Sequence, residues 1–146
     1  MYDILSNHKV EVIRSVASQD VGNTTFPTTE VDLFTDGLAN RLLLIIDVTS
    51  VGTGGTLDLV AQDSEDDSTY DADFVTFAQI DEAGTYIAVI DDPNRYFRVK
   101  ATVGTDGVTW GAYMVTFEEQ RRPVAQSETT ITGTYGTGRT PKVATT

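Results

Sequence analysis

The stretch Arg41–Val48, RLLLIIDV, contains the longest apolar run in a chain of 146 residues. Its five consecutive Leu and Ile residues, Leu42–Ile46, are far fewer than the roughly 18 that a membrane span needs. The run is also too short for a helix with a recognisable period, and its β-branched residues favour a strand. Because neighbouring side chains of a strand point to opposite faces, we predict a strand that is buried on both faces.

Short β-rich runs separated by turn residues recur along the rest of the chain. Their spacing is typical of sandwiches and barrels, and we identify no convincing helical pattern. We therefore predict an all-β fold: an antiparallel β-sandwich, jelly-roll-like or immunoglobulin-like, with extended terminal arms. The other predicted strands are 10–16, 25–34, 57–62, 74–77, 86–90, 96–101 and 108–117.

Three local patterns give more detailed expectations. Val10 and Val12 alternate with polar residues, which predicts a half-buried strand with both valines on its buried face. The sequence GTDG at Gly104–Gly107 predicts a hairpin turn. We expect Trp110 to pack in the core, and a platform that stacks on carbohydrate is the alternative.

Charge divides the chain into an acidic body and a basic end. Residues 1–119 contain six cations and 21 acids, a net charge of −15, and residues 120–146 contain four cations and one acid, a net charge of +3. We divide the chain into an N-terminal strand and arm (1–35), a sandwich body (36–119) and an extended basic tail (120–146). The total of −12 repels phosphate backbones, so we expect no nucleic-acid partner.

The tail after Gln120 lacks the β pattern of the body. Its apolar residues are too few to offset its ordering entropy, so we expect another molecule to hold it, a disordered tail being the alternative. Arg121 and Arg122 suit contacts with a partner's carboxylates, with a solvated hinge as the alternative. The predicted partner-binding residues are Arg121, Arg122, Ile131, Tyr135, Arg139 and Lys142, and Val143 is a further apolar anchor.

The chain has no cysteine and a single histidine. Disulfides, zinc–thiolate sites, iron–sulfur clusters and thiol nucleophiles are excluded, and catalysis or metal binding by several histidines is excluded as well. We expect a soluble protein that is not an enzyme, with no cofactor, no signal peptide and no membrane contact.

The loop 63–73 concentrates carboxylates between two predicted strands. Calcium binds six to eight hard oxygens, so Asp63, Glu65 and Asp67 are candidate ligands. The spacing does not match an EF-hand, because neither the glycine nor the final glutamate of that motif is in register. A solvated connection between strands explains the same residues.

Four stretches of the body together resemble a known class of proteins. They are LDLVAQDSEDD at Leu57–Asp67, FAQIDEAGTY at Phe77–Tyr86, YFRVKATVG at Tyr96–Gly104 and WGAYMV at Trp110–Val115. In this order, after an apolar strand and a Gly/Thr turn, they are similar to the small β-sandwich proteins encoded beside the major capsid gene of tailed phages and viruses. The resemblance covers about half of the chain and consists of strands and turns.

The resemblance implies a head decoration, or cement, protein on the exterior of a capsid. Its implied partner is the major capsid protein, and it implies a homo-oligomer, often a trimer at local three-fold positions. Two alternatives remain: a neck, tail or head-fibre-base subunit of a virion, and a secreted carbohydrate-binding sandwich. The first alternative differs in copy number, and the second requires an exposed Trp110 beside the acidic loop.

Overall fold

A computed structural model describes residues 8–15, 19–20, 22–33, 41–117, 129–131 and 133–136. These residues form strands and no helix. The strands are β1 (His8–Arg14), β2 (Gln19–Asp20), β3 (Thr24–Pro27), β4 (Val31–Asp32), β5 (Arg41–Val51), β6 (Thr56–Ser64), β7 (Val75–Phe77), β8 (Gly84–Asp91), β9 (Tyr96–Gly104), β10 (Val108–Phe117), β11 (Thr129–Thr130) and β12 (Gly133–Tyr135).

The strands form two sheets that pack face to face, which confirms the predicted β-sandwich. Sheet A has the order β1-β10-β5-β8-β11, with β2 also paired to β10. Sheet B has the order β12-β7-β6-β9-β3, with β4 also paired to β9. Neighbouring strands are antiparallel apart from β11, which runs parallel to β8.

The predicted central strand is β5, which lies between β10 and β8 in sheet A. Its alternate residues Leu42, Leu44 and Ile46 are fully buried against the facing sheet. The side chains between them, including Leu43 and Ile45, lie on the opposite face and are also apolar. The prediction that this strand is buried on both faces is therefore correct for Leu43, and Ile45 is half-buried.

Trp110 lies at the centre of the core with no exposed surface. Its ring is 6.3 Å from that of Phe26, and the guanidinium of Arg14 stacks 4.6 Å from its centroid. The predicted core position is confirmed. A carbohydrate-stacking role for Trp110 is wrong, because no ligand reaches a fully buried ring.

Two local predictions are wrong for reasons of long-range pairing. Val10 and Val12 are 63% and 66% exposed, because they pair with Val115 and Tyr113 on the outer side of sheet A, whereas Ile13 lies on the inner side and is buried. The turn at Gly104–Gly107 is not a hairpin, since it joins β9 of sheet B to β10 of sheet A. Short-range turn chemistry alone does not determine which sheet the next strand joins.

Candidate interaction surface

The outer face of sheet A, turned away from sheet B, is apolar across four strands. In strand register, Val12, Tyr113, Ile45 and Ile87 form one row. Val10, Val115, Leu43 and Val89 form the neighbouring row. We call these eight side chains the apolar face. They lie together because the residues directly opposite each other in an antiparallel sheet point to the same side.

The apolar face is packed at its centre and exposed at one edge. Leu43 and Ile87 are 7% and 8% exposed, and Ile45, Val89 and Val115 pack against them. Val10 and Val12 on the edge strand β1 are the large hydrophobic residues that remain most exposed in the described part of the chain. The face therefore continues from a closely packed cluster onto a solvent-facing border.

Charged groups lie at the two ends of this face and are paired there. Arg41 Nε lies 2.5 Å from Asp91 Oδ1, and their side chains are 11% and 15% exposed. At the opposite end, the hydroxyl of Thr85 donates to Asp47 at 3.4 Å. Between these ends, the outward positions of β5 and β8 are apolar. Charge is therefore confined to the two ends of the apolar face, and hydrocarbon side chains fill the space between them.

The outer face of sheet B has the opposite character. One row consists of Thr25, Thr102 and Asp58, and the hydroxyls of the two threonines are 3.1 Å apart. The next outward row consists of Pro27, Lys100, Val60, Thr76 and Thr134. Polar and charged side chains thus alternate with the buried ones, as expected for a sheet with one solvated face.

The structure places two predicted tail anchors on their own subunit. Ile131 and Tyr135 are half-buried and pack against the core, and β11 and β12 pair with β8 and β7. Since its own subunit can hold this part of the tail, the expectation that only another molecule can do so is wrong, and partner binding by Ile131 and Tyr135 stays a prediction. The reason is that β7 and β8 leave open strand edges on the same side of the sandwich, and a short segment can close both.

We call β11, Ile131, β12 and Gly136 the C-terminal strap. The amide of Ile131 donates to Ile87 O at 3.0 Å, and the amide of Gly136 donates to Phe74 O at 3.1 Å. The ring of Tyr135 meets Phe74 edge to face at 5.7 Å, and its hydroxyl accepts a hydrogen bond from the amide of Asp91 at 3.1 Å. The strap thus connects an edge of sheet A to an edge of sheet B.

Two glycines allow the strap to approach so closely. A Cβ placed on Gly133 would collide with Cγ1 of Val75, and one placed on Gly136 would lie 2.5 Å from Asp73 O. In the sequence, the glycines on both sides of Tyr135 could have indicated this strand, because glycine within a strand often marks a place where another backbone approaches closely. The other predicted partner-binding residues, Arg121, Arg122, Arg139 and Lys142, lie outside the described residues, as does Val143.

Two of the three candidate calcium residues, Asp63 and Glu65, line a cleft of about 360 Å³, and Asp67 does not; the other lining residues are Ser64, Asp66, Thr69, Tyr70, Asp71 and Asn94. Asp63 is buried and accepts the amide of Asn94 at 2.7 Å. Asp67 accepts the hydroxyl of Tyr70 at 2.7 Å, and Glu65 is exposed. Among the described residues no three acidic or histidine side chains converge as a metal site.

The loop instead satisfies its own carboxylates. Hydrogen bonds from the amides of Ser68 and Thr69 lower the pKa of Asp66 to about 2. Partial burial, followed by hydrogen bonds to Asp67 and Glu30, raises the pKa of Tyr70 above its usual value. The guanidinium of Arg98 lies 3.7 Å from the Tyr70 ring centroid. These contacts hold the loop in shape and give Asp66 and Asp67 a structural role.

Comparisons with known proteins give no relative: no family model, curated protein or solved structure matches this chain. Within the described ranges, no helix has the length and apolar character needed to cross a membrane. The apolar face and the C-terminal strap are the structural features that bear on function.

Proposed function

We propose that this chain is a structural virion protein that decorates and stabilises the exterior of a capsid, binding through the apolar face of sheet A. The single observation that carries the proposal is that face: two rows of four apolar side chains on a chain of net charge −12. Its exposed part is the border at Val10 and Val12, and exposed apolar residues that continue a larger apolar face are typical of a site where another macromolecule binds.

The shape of the face favours a protein surface over a small ligand. Small molecules are bound in concave pockets, whereas these side chains stand on the flat outer side of a sheet. Four strands at about 4.8 Å spacing give a patch only about 14 Å wide. A single contact of this size falls below the roughly 1,200 Å² of a stable interface, so it would be weak on its own.

Weak contacts of this size suit a repeated lattice. When many copies bind a symmetric shell, multivalency makes the sum of small contacts strong. The four stretches that resemble phage decoration proteins support the same conclusion and supply the expected partner, the major capsid protein. We further propose a homo-oligomer, a trimer at local three-fold positions, located on the outside of the capsid.

The test is binding to heads assembled from the capsid protein encoded nearest to this gene. The purified chain is mixed with heads, free protein is removed by sedimentation, and bound copies are counted by densitometry and imaged by electron cryomicroscopy. We expect hundreds of copies on the outer surface. About six or twelve copies at one vertex would instead identify a neck or tail subunit. If the chain does not bind heads at all, both the decoration role and the neck or tail role are contradicted.

A pair of matched variants tests the surface itself. V10K/V12K places two cations on the exposed border of the apolar face, and T25K/T102K places the same charges on the outer face of sheet B. We expect V10K/V12K to lower head binding at least tenfold while T25K/T102K binds as the wild type does. If T25K/T102K loses binding and V10K/V12K does not, the contact with the head is made by the outer face of sheet B.

A further inference from the structure

The C-terminal strap occupies a slot that the body forms without it. One wall of the slot is the edge of β8 at Tyr86 and Ile87, and the other is the edge of β7 from Val75 to Phe77. Phe74 supplies the surface on which Tyr135 packs. All of these groups belong to the stretch 74–91, which is continuous with the rest of the sandwich.

The slot selects the sequence of its occupant. It requires glycine opposite Phe77, because a larger residue there collides with Val75. Two positions further, it accepts an aromatic side chain that packs on Phe74 and reaches the amide of Asp91 with a hydroxyl oxygen. The strap of this protein meets both requirements, and so does the strap of every identical copy.

The strap is held by a small part of the total contacts. It forms two parallel residue pairs with β8 and three antiparallel pairs with β7. The β5–β10 pair alone has ten registered pairs. Local opening therefore costs much less than unfolding of the body, as for other terminal segments with few contacts.

The connection to the strap is long enough to reach another molecule. Eleven residues, 118–128, separate the end of β10 from the start of β11. At about 3.3–3.6 Å per residue, their extended reach is about 40 Å. The longest strand, β5, has 11 residues, or about 35 Å at the rise of a β-strand. The strap can thus span a distance equal to the length of the body.

We propose that the strap is exchanged between copies, so that the slot of one subunit binds the strap of a second copy of this chain. Each contact described above is then made unchanged between subunits, which is why exchange of an identical element is a low-cost route to an oligomer. The added strands extend sheet edges by β-augmentation. This inference does not depend on capsid binding.

Cysteine cross-linking in the full-length chain tests the exchange. The native sequence has no cysteine, so every disulfide comes from the introduced residues. Thr76 and Thr134 face each other between β7 and β12, and both are exposed. The single variants T76C and T134C are mixed in equal amounts, concentrated, oxidised and separated on a non-reducing gel, with the junction identified by peptide mass.

We expect a covalent heterodimer joined through positions 76 and 134. Its yield should exceed by at least tenfold that of a control mixture of D58C and T102C, whose positions face each other on the internal strands β6 and β9. Adding Gly133→Val to the T134C variant should abolish the heterodimer, because this strap cannot enter the slot.

The double variant T76C/T134C decides the remaining outcomes. If it forms only an intramolecular disulfide and the mixed single variants stay monomeric, the strap closes its own subunit and the proposal is wrong. If the double variant forms no disulfide, the strap does not pair with β7 at all, which also contradicts it. Homodimers of each single variant in equal yield would indicate random collision and would overturn it too.

Discussion

The two sheets of the sandwich share one core but present different outer faces. On sheet B, inward apolar residues such as Val99 and Ala101 alternate with outward Lys100 and Thr102. On sheet A, β5 and β8 are apolar on both faces over most of their length. The outer face of sheet A is itself partly enclosed, since Leu43 and Ile87 are 7% and 8% exposed. The exposed border at Val10 and Val12 is the part of this face that another molecule can reach.

The difference also follows from sequence runs rather than from single residues. Strict alternation in YFRVKATVG leaves one polar face, whereas the continuous runs RLLLIIDV and YIAVI leave none. Continuous runs of this kind are usual in parallel sheets, which are covered on both sides. In this antiparallel sandwich of two layers, they give the outer face of sheet A a buried centre at Leu43 and Ile87, next to the exposed border at Val10 and Val12.

The largest expected effect separates the two faces of β5. Leu44→Ala empties a fully buried site between the sheets and should lower the free energy of unfolding by about 3 kcal/mol. Leu43→Ala on the apolar face should cost only about 1–2 kcal/mol, because Leu43 packs in a much smaller cluster than Leu44 does. Chemical denaturation of both variants measures the difference. Equal losses would show that the outer face is as enclosed as the core.

The next largest effect concerns the strap. Gly133→Val forces a side chain into Val75 and should lower the free energy of unfolding by about 1–2 kcal/mol. Thr134→Val, at the exposed neighbouring position, is the control and should change it by less than about 0.5 kcal/mol. Thermal melts of the two variants at equal protein concentration make the comparison. Identical melts would mean that the strap adds nothing to stability.

A smaller effect is expected from salt. Binding through an apolar face is not screened, whereas contacts between exposed charges weaken once the Debye length falls from about 8 Å at 0.15 M to about 3 Å at 1 M. We expect the affinity for heads to change by less than about threefold over this range. Sedimentation binding curves at the two ionic strengths test it. A steep loss of affinity at high salt would show that charged residues make the main contact with the head.

The smallest effect lies in the acidic loop on the sheet B side. The pKa of Asp66 is lowered to about 2 from 3.8, so its ionised form supports the folded loop. This support is fully present above the unfolded pKa and is lost as the pH falls through the folded pKa. Carbon-detected NMR should give Asp66 a titration near pH 2, with the amides of Ser68 and Thr69 shifting together. Asp66→Asn should lack this transition, and a midpoint near 4 in the wild type would contradict the hydrogen-bonding account.

Much of the body could be predicted from sequence because its signals are local. Apolar runs and alternation identified β5, β8 and β9, and Trp110 was correctly placed in the core. The orientation of β1 could not be predicted, since it depends on the pairing with β10 that places Val10 and Val12 opposite Val115 and Tyr113. Alternation identifies a strand, but its position in the sheet decides which of its two faces is buried.

The candidate surfaces were predicted only in part. The both-sided burial of β5 indicated the apolar face, but its continuation onto Val10 and Val12 depends on the pairing of β1 with β10. The strap was missed because apolar content was judged over the whole tail. Ile131 and Tyr135 are few, yet each meets a preformed position on the body. Composition measures how much surface a segment can bury and does not show where that surface fits.

The strap follows the strands of its slot in the chain, and this order has a consequence for biosynthesis. The strands that form the slot, β7 and β8, are translated before β11 and β12. Because N-terminal parts of a chain are available to fold first during synthesis, the strands of the slot are available to fold before the strap is. On a polysome, neighbouring nascent subunits would therefore be close together while their slots are empty. At that stage each slot could bind either its own strap or the strap of a neighbour.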